Sequence, residues 1–191
     1  MNNTKDIILD VANRLFSRFG FYKTSMDEIA KTARKAKGSL YYHFASKEDL
    51  FKEVISKEMN NLKEQLAIIV NNPNLSASEK LKNYFLRRME IMNTATNYHE
   101  TLKADFFERF YFIDDLRAET DEWERKNIKR IILQGVDAKE FVLNIDINII
   151  SEMTIMVLKG LEIPFFLQGQ YNNYSHHLEN LIGILSKGLS K

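Results

Sequence analysis

No cysteine occurs anywhere in the 191 residues. That excludes a disulfide framework, a thiolate metal site and a thiol nucleophile, and it agrees with a cytoplasmic protein. Four histidines are too few and too badly spaced to build a metal centre. His43 and His99 stand alone, and the adjacent pair His176 and His177 diverges by about 100° on a helix. The chain shows no nucleophile elbow, no phosphate-cradling glycine loop and no paired-carboxylate motif, so no enzyme class is indicated and no cofactor is implied. Its start, Met-Asn-Asn-Thr-Lys-Asp, leads straight into an amphipathic segment, unlike a signal peptide. A net charge of +1 gives no strong global attraction to nucleic acid, so the distribution of charge carries the information. Disorder is excluded by a hydrophobic content of 45% and an aromatic content of 12%.

What is there is helical periodicity. Ile7, Ile8, Val11, Ala12, Leu15, Phe16 and Phe19 share one face of a first helix, which Gly20 ends. Ser25, with Glu28 three residues on, caps a second helix whose apolar face is Met26, Ile29, Ala30 and Ala33. After a break over Ala33 to Ala36, a third short helix from about Lys37 buries Leu40 and then Phe44. Two short helices across a tight turn form a helix-turn-helix. Lys31, Arg34, Lys35, Lys37 and Lys47 fall in this stretch, and no acidic residue lies between the first and the last of them. Ser39, Tyr41, Tyr42 and His43 add hydrogen-bonding groups. A helix so equipped can enter a major groove while ammonium and hydroxyl groups meet the flanking phosphates. A solvated charged turn on a helical bundle is the plainer alternative.

This pattern resembles the N-terminal domain of TetR-family transcriptional regulators. The elements that agree in order and register are the first helix, Gly20 to Ser25, Asp27 to Ala30, Lys37 to Phe44, and Ser46 to Leu50. The resemblance implies phosphate contacts near Thr24 and Ser25, and a position in or beside the major groove for Lys37, Gly38, Ser39 and Tyr41. It implies a backbone clamp made by Tyr42, His43 and Lys47, with Arg34 and Lys35 adding charge in the turn. One departure stands out. Where the family usually shows glycine, an aliphatic residue and then serine or threonine, this chain has Arg34, Lys35 and Ala36. A left-handed backbone at the first of these positions would cost Arg34 roughly 1 kcal/mol relative to glycine, and Ala36 cannot cap the following helix.

The expected architecture is all-α. A three-helix DNA-binding domain, 1–46, precedes a helical ligand-binding and dimerisation domain, 47–191, and a long helix over 46–71 links the two. The two prolines sit where helices should break: Pro73 in Asn71-Asn72-Pro73-Asn74, and Pro164 near the end of an apolar run. Further helices are expected at 76–95, 98–113, 115–134, 146–168 and 174–189, with a loop over 135–144 and no alternating strand. The middle of the body is rich in aromatics and methionine. Phe85, Met89, Met92, Phe106, Phe107, Phe110, Tyr111, Trp123, Met153 and Met156 are candidate walls of a pocket for a small apolar effector, though an ordinary core explains most of them equally well. Asn93, His99 and Arg109 could supply a polar anchor.

The run 146–168 leaves no wide polar face, and Leu178, Leu181, Ile182 and Leu185 draw a seam on the last helix. Together these fit a homodimeric four-helix interface through Leu158, Leu161, Phe165, Leu178, Leu181, Ile182 and Leu185, as the family resemblance also implies. The alternative is that both faces serve one subunit. A membrane span is disfavoured by Glu152, Lys159 and Glu162 within the run. The leading expectation is therefore a ligand-responsive regulator of transcription, most simply a repressor, acting on double-stranded DNA. The rival is an all-α binding protein or enzyme with a degenerate N-terminal domain.

Overall fold

A computed structural model describes residues 3–103 and 111–187, the side chains of 185–187 excepted. Among these residues there are helices and turns but no strand. They divide into two compact units, residues 1–60 with 95–115 and residues 61–94 with 116–191.

The first unit begins with α1, Thr4–Phe19, which has Asp6 in its first turn and Arg18 in its last, each suited to the helix dipole there. It buries Ile8, Leu9, Val11, Ala12 and Phe16. Gly20 stops it in a left-handed conformation (φ 82°), its N–H donating to Phe16 O at 2.8 Å. Helix α2, Met26–Thr32, is capped by Ser25 Oγ, which accepts from Glu28 N at 3.2 Å. Helix α3 spans Lys37–His43 and inserts Leu40, fully buried, against the other two. The next helix, α4, runs unbroken over Lys47–Val70 and passes the boundary at residue 60. Its Phe51 meets Phe16 edge-on at 5.0 Å and Phe21 at 4.9 Å, so three rings close the core of the unit.

A short helix from far along the chain, α6 at Thr96–Glu100, completes this unit. No side chain of its own caps it; Glu58 on α4 does so instead. The Glu58 carboxylate accepts from Asn97 N at 3.2 Å and from Tyr98 N at 2.8 Å. The buried Asn97 amide nitrogen also lies within hydrogen-bonding reach of Glu58 Oε1 (2.8 Å), Asn13 Oδ1 (2.6 Å) and Ser17 Oγ (3.0 Å). Asn97 thus ties α6 to both α1 and α4. Burial pushes the Glu58 carboxyl up in pKa, against the opposing effect of these hydrogen bonds.

The second unit contains α5 (Ala77–Thr94), α7 (Asp114–Asp137, from residue 116 on), α8 (Ile147–Gly160), a π-helical turn at Ile163–Leu167 that includes Pro164, and α9 (Tyr171–Lys187). Helix α9 packs on α5. The expected helix over 98–113 is not continuous: α6 ends at Glu100, a turn follows over 101–103, a 3₁₀ turn covers Tyr111–Ile113, and 104–110 lie outside the described residues. The expected loop over 135–144 is more ordered than its composition suggests. Lys139 takes φ 60° with Lys139 N donating to Val136 O (3.0 Å) and Glu140 N to Gly135 O (2.8 Å), a Schellman ending for α7. Glu140 then caps α5 by accepting from Ala77 N and Ser78 N. Gly135 has no room for a side chain, since a Cβ there would lie 2.1 Å from the Phe141 ring.

Candidate functional sites

The α2–α3 turn is the centre of the head. Arg34 has φ 53°, the left-handed backbone expected of this position, and the hydrogen bonds identify the reason. Arg34 N donates to Lys31 O at 3.1 Å and Lys35 N to Ala30 O at 3.0 Å, so the end of α2 is a Schellman motif with arginine where glycine is easiest. Ala36 precedes α3 with no side-chain cap, also as expected.

Around this turn the side chains named from sequence divide into outward and inward groups. Tyr42 is the most open, 85% exposed, and Lys37, Tyr41, Arg34 and Gly38 are exposed too. Ser39, Lys35 and His43 are half-buried. Lys37 is held by Asp27 of α2 at 2.6 Å; this hydrogen bond and the charge behind it raise the lysine's pKa. Its ammonium also lies 6.0 Å from the centre of the Tyr41 ring. Among the described residues nothing outside its own helix backbone and its two chain neighbours stands within 4 Å of where a Cβ on Gly38 would be, so internal packing does not call for glycine there.

Three residues differ from expectation. Thr24 is 1% exposed, and its hydroxyl donates to Gly20 O at 2.9 Å, so its side chain does not meet a phosphate but pins the α1–α2 loop. Ser25 likewise uses its hydroxyl as the α2 cap. Lys47 is turned the same way. Its ammonium donates to Phe21 O (3.0 Å) and Thr24 O (3.2 Å) and lies 4.3 Å from the centre of the Phe21 ring, fastening the loop to the start of α4 rather than reaching out as a clamp. For Thr24 and Lys47 the common cause is an α1–α2 loop whose Gly20, Phe21 and Thr24 carbonyls accept their hydrogen bonds, which a sequence does not display.

In the body, Met89 and Met92 are buried on α5, and Phe85 and Trp123 are half-buried. Phe106, Phe107, Phe110 and Arg109 lie outside the described residues. Tyr111 belongs to the other unit and is 73% exposed, so it is no pocket wall. Met153 and Met156 face outward, Met156 onto an open groove between α7 and α8, because α8 places Ile149, Met153, Met156 and Val157 on one side and Ser151, Ile155 and Leu158 on the opposite, buried side. The same register corrects the dimer seam. Leu158, Phe165, Leu178 and Ile182 are inside the subunit and Leu161 is half-buried; only Leu181 is exposed, in company with Tyr174 and Ile184. The side chain of Leu185 is not described.

Sequence reasoning missed a buried charged cluster in this unit. Arg88 on α5, 2% exposed, donates through Nε to Glu124 Oε2 (2.8 Å) and Oε1 (3.1 Å), and through Nη2 to Glu162 Oε1 (2.8 Å). Tyr84 donates to Glu124 Oε2 at 3.0 Å. Burial opposes the Arg88 charge, but the two carboxylates outweigh it and hold the guanidinium firmly protonated. Burial first, then the Glu124 charge, drive the Tyr84 hydroxyl well above its ordinary pKa, so it remains a donor. The partners are 36 to 74 residues apart, which is why no local pattern reveals them. On the outer side of the unit, α7 and α8 frame an open groove of about 440 Å³ whose charges are paired: Lys159 with Asp121, and Arg125 with both Glu122 and Glu152. Among the described residues no helix is long and apolar enough to cross a membrane, and no group of three His, Asp or Glu side chains could hold a metal.

Residues 8–54 match the family model described as bacterial regulatory proteins, tetR family. The chain is 28% identical over 194 residues to the HTH-type transcriptional regulator QacR of Staphylococcus aureus, covering 99% of this chain and 100% of that protein. It is 38% identical over 72 residues to the negative transcriptional regulator IcaR of the biofilm operon icaADBC, also from Staphylococcus aureus, covering 38% of this chain and 39% of that one. Among solved structures, a transcriptional regulator from Cytophaga hutchinsonii superposes with a TM-score of 0.77 at 24% identity, covering 96% of this chain and 97% of that chain. The matched segment contains α2, the left-handed turn and the outward face of α3 described above, and the whole-length likeness extends to the helical body. Residues 8–54 are thus similar to the DNA-binding domain of the tetR family, and the likeness of the chain is to DNA-binding regulators of transcription.

Proposed function

We propose that the protein is a cytoplasmic homodimeric repressor. In this reading residues 1–46 carry the DNA-reading surface, and residues 47–191 carry the dimer face and the site for a small apolar effector that releases the operator. Two heads would take half-sites of a pseudo-palindrome about one helical turn apart or a little more. The observation that carries the reading is the division of labour on α8 and α9. One side fills the subunit, while Ile149, Met153, Met156 and Val157, with Tyr174, Leu181 and Ile184 on α9, remain exposed. Gly160 continues the α8 stripe with open space around it, which suits the close approach of a second helix. An apolar surface of this kind on a regulator is best covered by a second copy of itself.

On the DNA side, Lys37, Gly38, Ser39 and Tyr41 lie at the groove, while Arg34, Lys35, Tyr42 and His43 supply phosphate contacts. Thr24, Ser25 and Lys47 would act by holding the loop that presents them. The effector differs in affinity between the DNA-competent arrangement and another, which is the only way binding can shift the balance. Repression is supported by the likeness to IcaR, a negative transcriptional regulator.

The test is a duplex selected from a random pool with the full chain, then retarded with and without fatty acids, acyl-CoA esters and planar apolar drugs. A two-fold symmetric consensus, a sedimentation mass of two chains and release by one ligand class are expected. An asymmetric consensus bound by a monomer overturns the dimer, and indifference to every ligand class overturns the effector reading.

A further inference from the structure

Lys37 is the first residue of α3, and a cation at the start of a helix opposes the helix dipole. No acidic residue stands in the first turn of α3, and no side chain caps it. The counter-charge comes from across the turn instead, from Asp27 in the first turn of α2, whose Oδ1 lies 2.6 Å from the ammonium. Both side chains are open to solvent, and an exposed ion pair of this kind stabilises a fold little. Asp27 also suits the positive end of α2, but Glu28 beside it serves that end equally. Attraction to a duplex is no reason either, since a carboxylate beside α3 is repelled by phosphates. Reading of bases is.

An ammonium has three N–H donors. In Lys37 one is taken by Asp27, which, with the Tyr41 ring centre 6.0 Å away, fixes where the other two are presented. A guanine edge offers two acceptors in the major groove, O6 and N7, and both can be met while Asp27 keeps its bond. A phosphate brings a full negative charge up to the same carboxylate, which weakens that contact.

We propose that Asp27 is a positioning residue that sets DNA specificity through Lys37: it holds the ammonium for a base edge with paired acceptors and disfavours its capture by a phosphate. This rests on the reading that α3 enters the major groove with Lys37 at its leading end.

The test compares the full chain with Asp27→Asn, Glu28→Gln, Lys37→Ala and the double variant Asp27→Asn with Lys37→Ala. Affinities for a selected duplex and for random duplex of the same length are measured by fluorescence anisotropy at several salt concentrations. Asp27→Asn should tighten random binding and steepen its log–log salt slope by about 0.9, as one added phosphate contact predicts. The ratio of selected to random affinity should fall about fivefold or more, the size of a good base contact. Glu28→Gln removes the same charge one residue away and should leave that ratio unchanged. In the Lys37→Ala background, Asp27→Asn should no longer alter it. If Asp27→Asn leaves the ratio as in the wild type, if Glu28→Gln lowers it equally, or if the effect persists without Lys37, the positioning role is overturned. If Lys37→Ala itself leaves the ratio unchanged, Lys37 is not at the groove, and the reading beneath the proposal fails with it. All three replaced side chains are exposed, so the variants should melt with the wild type.

Discussion

Arg34 is the residue at which local strain and charge meet. A left-handed backbone at a residue with a Cβ costs about 1 kcal/mol, yet the Schellman ending of α2 requires that geometry, and arginine there adds a cation beside the turn. Arg34→Gly should leave the melting temperature unchanged or raise it, since relief of strain is offset by the greater freedom of glycine in the unfolded chain. The same change should weaken binding to random duplex and make its salt dependence shallower by about 0.9 in the log–log slope, as the loss of one phosphate contact predicts. A fall in stability together with unchanged DNA affinity would refute both halves.

Glu58 is informative in a different way. Its folded pKa is raised, so between the ordinary carboxylate value and the folded one the native state binds more protons than the unfolded state. The contribution of this group to stability is then greatest at low pH and declines as pH rises through the folded pKa. Urea midpoints from pH 4 to 7 for the wild type and Glu58→Gln should show the difference, wild type minus variant, decreasing with pH and then levelling. A difference that increases with pH would contradict the assignment.

At the scale of elements, α3 and the α8–α9 pair make separable predictions. Gly38 has open space around it, so Gly38→Ala should preserve or slightly raise helix stability, alanine being the better helix former. If the helix backbone must approach a base pair closely, the added methyl should reduce affinity for a selected duplex several-fold, measured by retardation. On α9, Leu178 is buried and Leu181 is exposed. Leu178→Ala should lower unfolding free energy by about 2–5 kcal/mol. Leu181→Glu should leave each subunit folded but shift sedimentation towards a single chain, and an unshifted dimer would remove α9 from the interface.

The same elements mark what a sequence discloses. The α2 cap at Ser25 and the uncapped α3 are readable because each depends on neighbouring residues, whereas the left-handed backbone at Arg34 is suggested by the family resemblance, which has glycine there. Helix existence in the body is readable for the same reason. Which side of α8 and α9 faces inward is not, because Leu178 and Leu181 are equally apolar and only the packing of α9 on α5 distinguishes them. The inward turn of Lys47, onto carbonyls 23 and 26 residues earlier, and the Arg88 cluster depend on partners that no local window contains.

At the scale of the molecule, the division into compact units does not follow the order of the chain. The unit that holds the DNA-reading helix includes residues 95–115, reached only after the chain has passed through α5 of the other unit. Within it, Asn97 meets Asn13, Ser17 and Glu58, and the Glu58 carboxylate caps α6. A fragment ending at residue 60 would leave these polar groups and the α1 face beneath them without their cover. By calorimetry it should melt well below the full chain or show no cooperative transition, and a fragment as stable as the intact protein would show α6 to be dispensable. A reading module whose closing piece arrives only after residues 61–94 cannot be exchanged between proteins as one contiguous cassette. Any chimera spliced after residue 60 inherits an open seam, unless the recipient brings its own counterpart of Asn97.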